Sequence, residues 1–301
     1  MIGRSRNDRI FDAVNTILLF LLLIIVFYPL YFVVIASVSS PMAVNSGDVL
    51  FYPVGWTLTG YTFVFKDSML WHGYLVTIVL TLLGTMINLA LTFTGAYALT
   101  KTHLPLMRPL MFLITFTMFF SGGMIPTYIL VSNLKLRNTL WAMILPSAVS
   151  VYNLILVRTY MMKSISEEVL DAARIDGCSD WRLFVRIVMP LSTPIVATMA
   201  LFYGVGHWNQ FFAALIYISD QDLYPLQLVL RNLLLAGQNA MTDMISGGAS
   251  GMDPQYIADL MQRAEILKYA VIIVATAPIL AVYPFLQKYF VKGIMAGSLK
   301  G

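Results

Sequence analysis

Residues 168–190 read EVLDAARIDGCSDWRLFVRIVMP, a charged, amphipathic interruption in a chain that is otherwise largely apolar. Ten charged residues fall between Arg158 and Arg186, and the segments on either side are long enough to cross a bilayer. A polar module between two spans must stand in water at one membrane face. Ser164 and Glu167 have the spacing of a capping box, which predicts a helix start there. Glu167, Glu168 and Asp171 then place negative charge in its first turns, where the helix dipole favours it. Asp171 and Arg174 are three apart and can pair along one face. Ala172 and Ala173 keep the helix narrow enough for another surface to approach. Asp176-Gly177 stops it, because glycine accepts the left-handed conformation at little cost. From Asp180 a second short helix is expected, turning Trp181, Phe184, Ile187 and Val188 to one side and closing at Pro190.

The composition agrees with a membrane protein. Of 301 residues, 59% are hydrophobic and 11% charged, with a mean hydropathy of +0.78; soluble domains carry roughly 25% charged residues. The pI near 9.1 does not mark a nucleic-acid binder, since the basic residues lie at the ends of spans and form no patch. The single cysteine, Cys178, excludes an internal disulfide and has no metal-ligand spacing.

Residues 171-172-173, 177, 187 and 190 resemble the EAA signature of the permease subunits of ABC importers: Glu-Ala-Ala, three residues, Gly, nine residues, Ile, one residue, Leu, Pro. Every spacing holds, with Asp171 in place of glutamate and Met189 in place of leucine. The resemblance implies that this loop forms coupling helices docking into a groove of a cytoplasmic ATPase, with Glu168, Asp171, Ala172, Ala173, Asp176, Gly177, Phe184, Ile187 and Pro190 carrying the contact. Further matches extend over essentially the whole chain. Phe120-Ser121-Gly122-Gly123-Met124-Ile125-Pro126, Asn138-Thr139-Leu140 and Leu145-Pro146 are similar to carbohydrate-uptake permeases, particularly those for acidic oligosaccharides of pectin or alginate type. Trp208-Asn209 with Phe211 and Phe212 resembles a fifth-span element of sugar permeases. The tail from Gln287 to Gly301 is similar to that of the partner subunit of maltose permeases, where it reaches the ATPase dimer interface.

Read in order, the chain gives an all-α membrane protein with six transmembrane helices and the coupling loop between spans four and five. Residues 1–12 form a cytoplasmic N-terminus. Residues 13–38, free of charge and too long for a signal-peptide core of ~7–15 residues, form the first span, with a kink predicted at Pro29. The permease domain covers 71–288, with spans near 74–100, 109–132, 139–160, 191–218 and 267–288, each close to the ~20 residues needed. The coupling loop is 162–188 and the cytoplasmic tail 289–301. A Gly/Ser/Met/Asp stretch at 237–254 reads as mobile. With both termini inside, thirteen Lys and Arg residues face the cytoplasm and six the outside, so the positive-inside rule gives the same orientation as the loop. The location is then the bacterial cytoplasmic (inner) membrane.

Polar groups within spans are functional candidates because burying them in hydrocarbon is costly. They are Asn88, Asn153, His207, Asn209 and Gln210; together with Tyr203, Trp208, Phe211 and Phe212 they offer amides and aromatic faces suited to sugar rings. The competing role is interhelical hydrogen bonding. Trp208 and Phe212, four apart, are expected on one helix face. No intramembrane acid accompanies His207, which argues against a secondary transporter or a membrane enzyme. The chain carries no Walker motif and binds no cofactor of its own; ATP and magnesium belong to the ATPase that the resemblance implies. It also implies a second homologous permease, an ATPase dimer and an extracytoplasmic solute-binding protein. The substrate expected is a carbohydrate, an oligosaccharide of uronic-acid type, with another solute as the alternative.

Overall fold

A computed structural model describes residues 6–245, 267–282 and 284, and every regular element among them is helical. The C-terminal tail 289–301, residues 246–254 of the Gly/Ser-rich stretch and the far end of the sixth predicted span lie outside the described residues. The chain divides into two compact units: Met1–Ser68 with Leu230–Ala277, and Met69–Val229 with Pro278–Gly301.

The first unit begins with α1 (Arg6–Ser37), which continues through Pro29 without a break. Its apolar run Ile10–Ser37 has the length and composition to cross a membrane, and its most apolar stretch is left uncovered by the other described residues. Helix α2 (Pro41–Asn45) follows, with Ser40 capping it through Ala43 N–H, and then α3 (Thr59–Lys66). Ile35, Ala43 and Val49 form this unit's small core.

The second unit is organised around α4 (Ser68–Leu99), a helix long and apolar enough to span. The next three predicted spans are not single helices. Residues 109–132 divide into α5 (Met107–Phe119) and α6 (Met124–Asn133), bent by 110°. Gly123 at φ +87°, a conformation that glycine alone adopts cheaply, explains the break. Residues 139–160 divide into α7 (Trp141–Ile144), a 3-10 turn Leu145–Ser147 containing Pro146, and α8 (Val151–Ser164), with a bend of 53°. Ser150 caps α8 through Asn153 N–H.

Between α8 and the next long helix stand α9 (Glu167–Ile175), α10 (Asp180–Leu183), a π turn Phe184–Val188 and α11 (Met189–Leu191). Residues 191–218 then divide into α12 (Thr193–Trp208) and α13 (Phe212–Tyr217). Helix α14 (Leu226–Ile245) includes the first part of the stretch expected to be mobile, so residues 237–245 are helical. The last described helix is α15 (Leu267–Val282), an apolar helix within the predicted sixth span.

Candidate functional site: a coupling module and a buried amide hub

The coupling module assembles as a helix, a glycine turn and a second helix. Its start differs from the capping-box expectation: Ser164 is the last residue of α8, and Ser166 occupies the N-cap of α9 without a side-chain cap bond. The Ile165–Ser166 link between the two helices is extended, so the helical start moves two residues on. Arg174 pairs with Asp171 at 2.8 Å along the exposed face. Gly177 ends α9 at φ +77°, and the amides of Gly177 and Cys178 donate to the carbonyls of Arg174 and Ala173. Glu168, Ala172 and Asp176 face outward with Asp171, and Ile175 is 87% exposed. Ala173 turns inward and is buried against the chain's own core.

The second half differs from the expected single face. Leu183, Phe184 and Val188 are buried and Ile187 is half-buried, while Trp181 is exposed. Pro190 lies one residue before this helix ends at Leu191, where the chain bends by 81° into α12. It lacks the N–H that an α-helical turn would donate, and the wide turn just before it lets the helical path continue into α11, with Met189 N–H donating to Phe184 carbonyl.

This half is fastened to the end of α4 by residues outside the sequence-based selection. Lys101 Nζ lies 3.0 Å from Asp180 and 4.7 Å from the centre of the Tyr97 ring. The Tyr97 ring lies 5.0 Å from that of Phe184. The Lys101 ammonium beside Asp180 lowers that carboxyl's pKa from its usual value, through a hydrogen bond and through charge. Arg158 Nε donates to Leu99 carbonyl, tying α8 to the same helix end. A lysine immediately after a long apolar run was the available signal; its partner, 79 residues on, was not.

Within the spans the structure brings three of these candidates, Asn88, His207 and Gln210, together. Asn88 Nδ2 donates to the carbonyls of Ser147 and Ala148, both at 2.8 Å, so its Oδ1 faces His207 Nε2 at 2.6 Å. Gln210 Nε2 donates to Met143 carbonyl at 2.9 Å, and its Oε1 stands 3.2 Å from His207 Nδ1. The three carbonyls lie around the Pro146 turn between α7 and α8, and the two side-chain amides donate to them. Gly84 admits the imidazole, since a Cβ there would lie 2.6 Å from its Cε1. The Tyr203 and Thr92 hydroxyls form a second buried pair at 2.7 Å, and Ser150 N–H reaches the Tyr203 hydroxyl at 3.4 Å.

The remaining candidates do not join this hub. Asn209 donates back to Val205 carbonyl in its own helix, and Asn153 is buried on α8. Trp208 is buried and its ring lies 6.2 Å from that of Tyr74. Phe212 falls beyond the break at 209–211 and is 55% exposed, so it does not share a helix face with Trp208. Trp208 instead borders a cavity of about 870 Å³ between α4, α12 and residues 278–282 of α15. Its wall is apolar apart from Thr81 and Thr85, whose buried hydroxyls have no hydrogen-bond partner among the described residues. Their i, i+4 spacing was a legible sign of a shared helix face; their burial without partners was not.

Apolar helices long enough to cross a membrane, with a charged module between them that exposes one helix face, are features of an integral membrane protein. The chain belongs to the family of binding-protein-dependent transport system inner membrane components, whose family model matches residues 92–296. It is thus the membrane component of an ABC importer, a class that works with a separate ATPase and a solute-binding protein, and it is not the enzyme of that complex. Among its relatives, Protein LplC of Bacillus subtilis (strain 168) is 40% identical over 99% of this chain and 97% of its own. The polygalacturonan/rhamnogalacturonan transport system permease protein YtcP of the same organism is 37% identical over 98% of this chain and 100% of its own. A solved bacterial ABC transporter involved in the import of the acidic polysaccharide alginate is 31% identical. It matches with a TM-score of 0.84 over 96% of this chain and 100% of its own.

Proposed function

We propose that this chain is one of two homologous permeases of an importer for uronic-acid oligosaccharides, delivered by a solute-binding protein and driven by an ATPase dimer that holds ATP and magnesium. The observation that carries this is the full-length similarity to a polygalacturonan/rhamnogalacturonan transport system permease protein, joined to a fold shared with a transporter involved in the import of the acidic polysaccharide alginate. In this reading the chain crosses the inner membrane six times with both termini in the cytoplasm. The outward face of α9, with Glu168, Asp171, Ala172 and Asp176, enters the ATPase groove. Phe184, Ile187 and Pro190 hold the second half against the membrane helices, and Gly177 sets the angle between the halves. Closure of the ATPase pair draws the coupling modules together and turns the pathway outward.

Sugar rings would meet Trp208, with the hydroxyls of Thr81 and Thr85 as polar handles on the cavity wall, while Tyr203 is assigned to the buried core with Thr92. Asn88 and His207 support this wall from behind. Asn153, Asn209 and Phe212 are assigned to helix packing or to the second permease.

A neutral oligosaccharide is the second reading, favoured by one feature: no Lys or Arg lies within residues 69–99, 109–132, 139–157 or 191–218. Uptake of labelled galacturonide oligomers and of neutral oligomers of equal length, in cells with and without this gene, separates the two. Galacturonide uptake that disappears on deletion supports the proposal. Loss of neutral uptake alone replaces it with the second reading, and unchanged uptake of both sinks it.

A further inference from the structure

The segment after α1 leaves the membrane helix and returns along its side. Its ends are tied by backbone bonds, Thr57 N–H to Val38 carbonyl at 3.0 Å and Ser40 N–H to Val54 carbonyl at 2.9 Å, and Val54 N–H donates to Ser39 Oγ. Between these ties the tip reaches back to two tyrosines of the helix. Tyr28 hydroxyl donates to Leu50 carbonyl at 3.2 Å and Tyr31 hydroxyl to Phe51 carbonyl at 2.5 Å. The Phe51 ring lies 6.0 Å from that of Tyr28, which in turn neighbours Phe32.

These contacts fix a depth. Tyr31 and Tyr28 stand six and nine residues before the helix end at Ser37, which is ~9 and ~13 Å along the axis at 1.5 Å per residue. The run Ile10–Ser37 has 28 residues, about 42 Å of helix against a hydrocarbon core of ~30 Å. The loop tip therefore lies level with the outer part of the core or its boundary, well below the end of the helix. Irregular backbone at such a level needs its polar groups satisfied from within the protein. That is what the two tyrosines do for the carbonyls of Leu50 and Phe51.

We propose that residues 46–57 form a bilayer anchor, with Leu50, Phe51 and Tyr52 inserted among lipid at the headgroup–acyl boundary on the side of the membrane away from the N-terminus. The side chains divide accordingly. Leu50, Phe51 and Tyr52 are 54%, 68% and 69% exposed, whereas Asn45, Ser46, Gly47 and Asp48 make the adjoining stretch polar. Val49, between the two stretches, is buried in the unit's own core and fixes which side faces out. Rings and an amphipathic phenol at this level are what aromatic belts present to lipid. Leu30 and Val34, at the same level of α1, are likewise exposed.

The test uses site-directed spin labels in the intact transport complex, reconstituted in lipid nanodiscs. Cys178→Ser supplies the background, and single cysteines replace Phe51, Tyr52 or Asp48 at exposed positions. Power saturation compares collisions with oxygen, which concentrates in lipid, and with a water-soluble nickel chelate. The expected result is an oxygen-to-nickel ratio several-fold higher at 51 and 52 than at 48. Nickel accessibility at 51 and 52 equal to that at 48 would place the loop in water and overturn the proposal. Low collision rates with both reagents at 51 and 52 would mean a protein cover, such as the second permease, and would overturn it equally. Tyr28→Phe with Tyr31→Phe should lower the ratio at 51 toward that at 48; an unchanged ratio would remove the tyrosine tether from the account.

Discussion

Gly177 and Gly84 serve opposite purposes, and their substitutions separate two kinds of cost. At Gly177 a Cβ would have nothing within 4 Å, yet φ is +77°, so the cost of a side chain is conformational, roughly 1–2 kcal/mol for a non-glycine residue. Asparagine tolerates this region and a β-branched residue does not. Gly177→Val should therefore uncouple ATP hydrolysis from sugar uptake in proteoliposomes, while Gly177→Asn retains most coupling. Wild-type uptake by the valine variant would remove Gly177 from the coupling mechanism. At Gly84 φ is ordinary and the space is filled by the His207 ring. Gly84→Ala should displace the imidazole and destabilise the permease by about 1–3 kcal/mol, as overpacking does. Asn88→Leu should cost a similar ~1–3 kcal/mol, because the Ser147 and Ala148 carbonyls would be left without donors. Denaturation midpoints in detergent measure both, and a change within error would show that the hub does not hold the helices.

At the scale of elements, an apolar and an ionic contact of unequal strength help to hold the coupling module to the end of α4. Phe184 is buried beside Tyr97, and Phe184→Ala should cost about 3–5 kcal/mol if the site does not collapse. The loss should appear as reduced coupling, since Ala173 of α9 packs into the same core as Phe184. The Lys101–Asp180 pair is solvent-exposed on the aspartate side and contributes under ~1 kcal/mol. Because folding lowers the Asp180 pKa, this contribution is present at neutral pH. It fades as pH falls below the ordinary aspartate value of 3.8 and through the lowered one. Asp180→Asn should thus weaken docking slightly at pH 7 and leave no difference from wild type under strongly acidic conditions, as followed by protease accessibility of the loop at each pH.

For the whole molecule, the family assignment requires partners. Affinity purification of this chain from native membranes in mild detergent should recover an ATPase and a second permease. Recovery of the chain with the ATPase but no second permease would replace the heterodimer with a homodimer. Recovery of the chain alone would contradict the proposed assembly.

The membrane class and the helix–glycine–helix module were legible in the amino-acid order, because they depend on local composition and on spacing within a few turns. Asp171–Arg174 and the left-handed Gly177 are features of that range. Contacts between residues far apart arose only on folding: Lys101 with Asp180, Asn88 with His207, and Tyr28 with Leu50. So did the breaks within 109–132, 139–160 and 191–218. Hydropathy sums apolar side chains and is insensitive to where backbone hydrogen bonds stop. At the break within 139–160 distant donors, the amides of Asn88 and Gln210, meet the carbonyls around it.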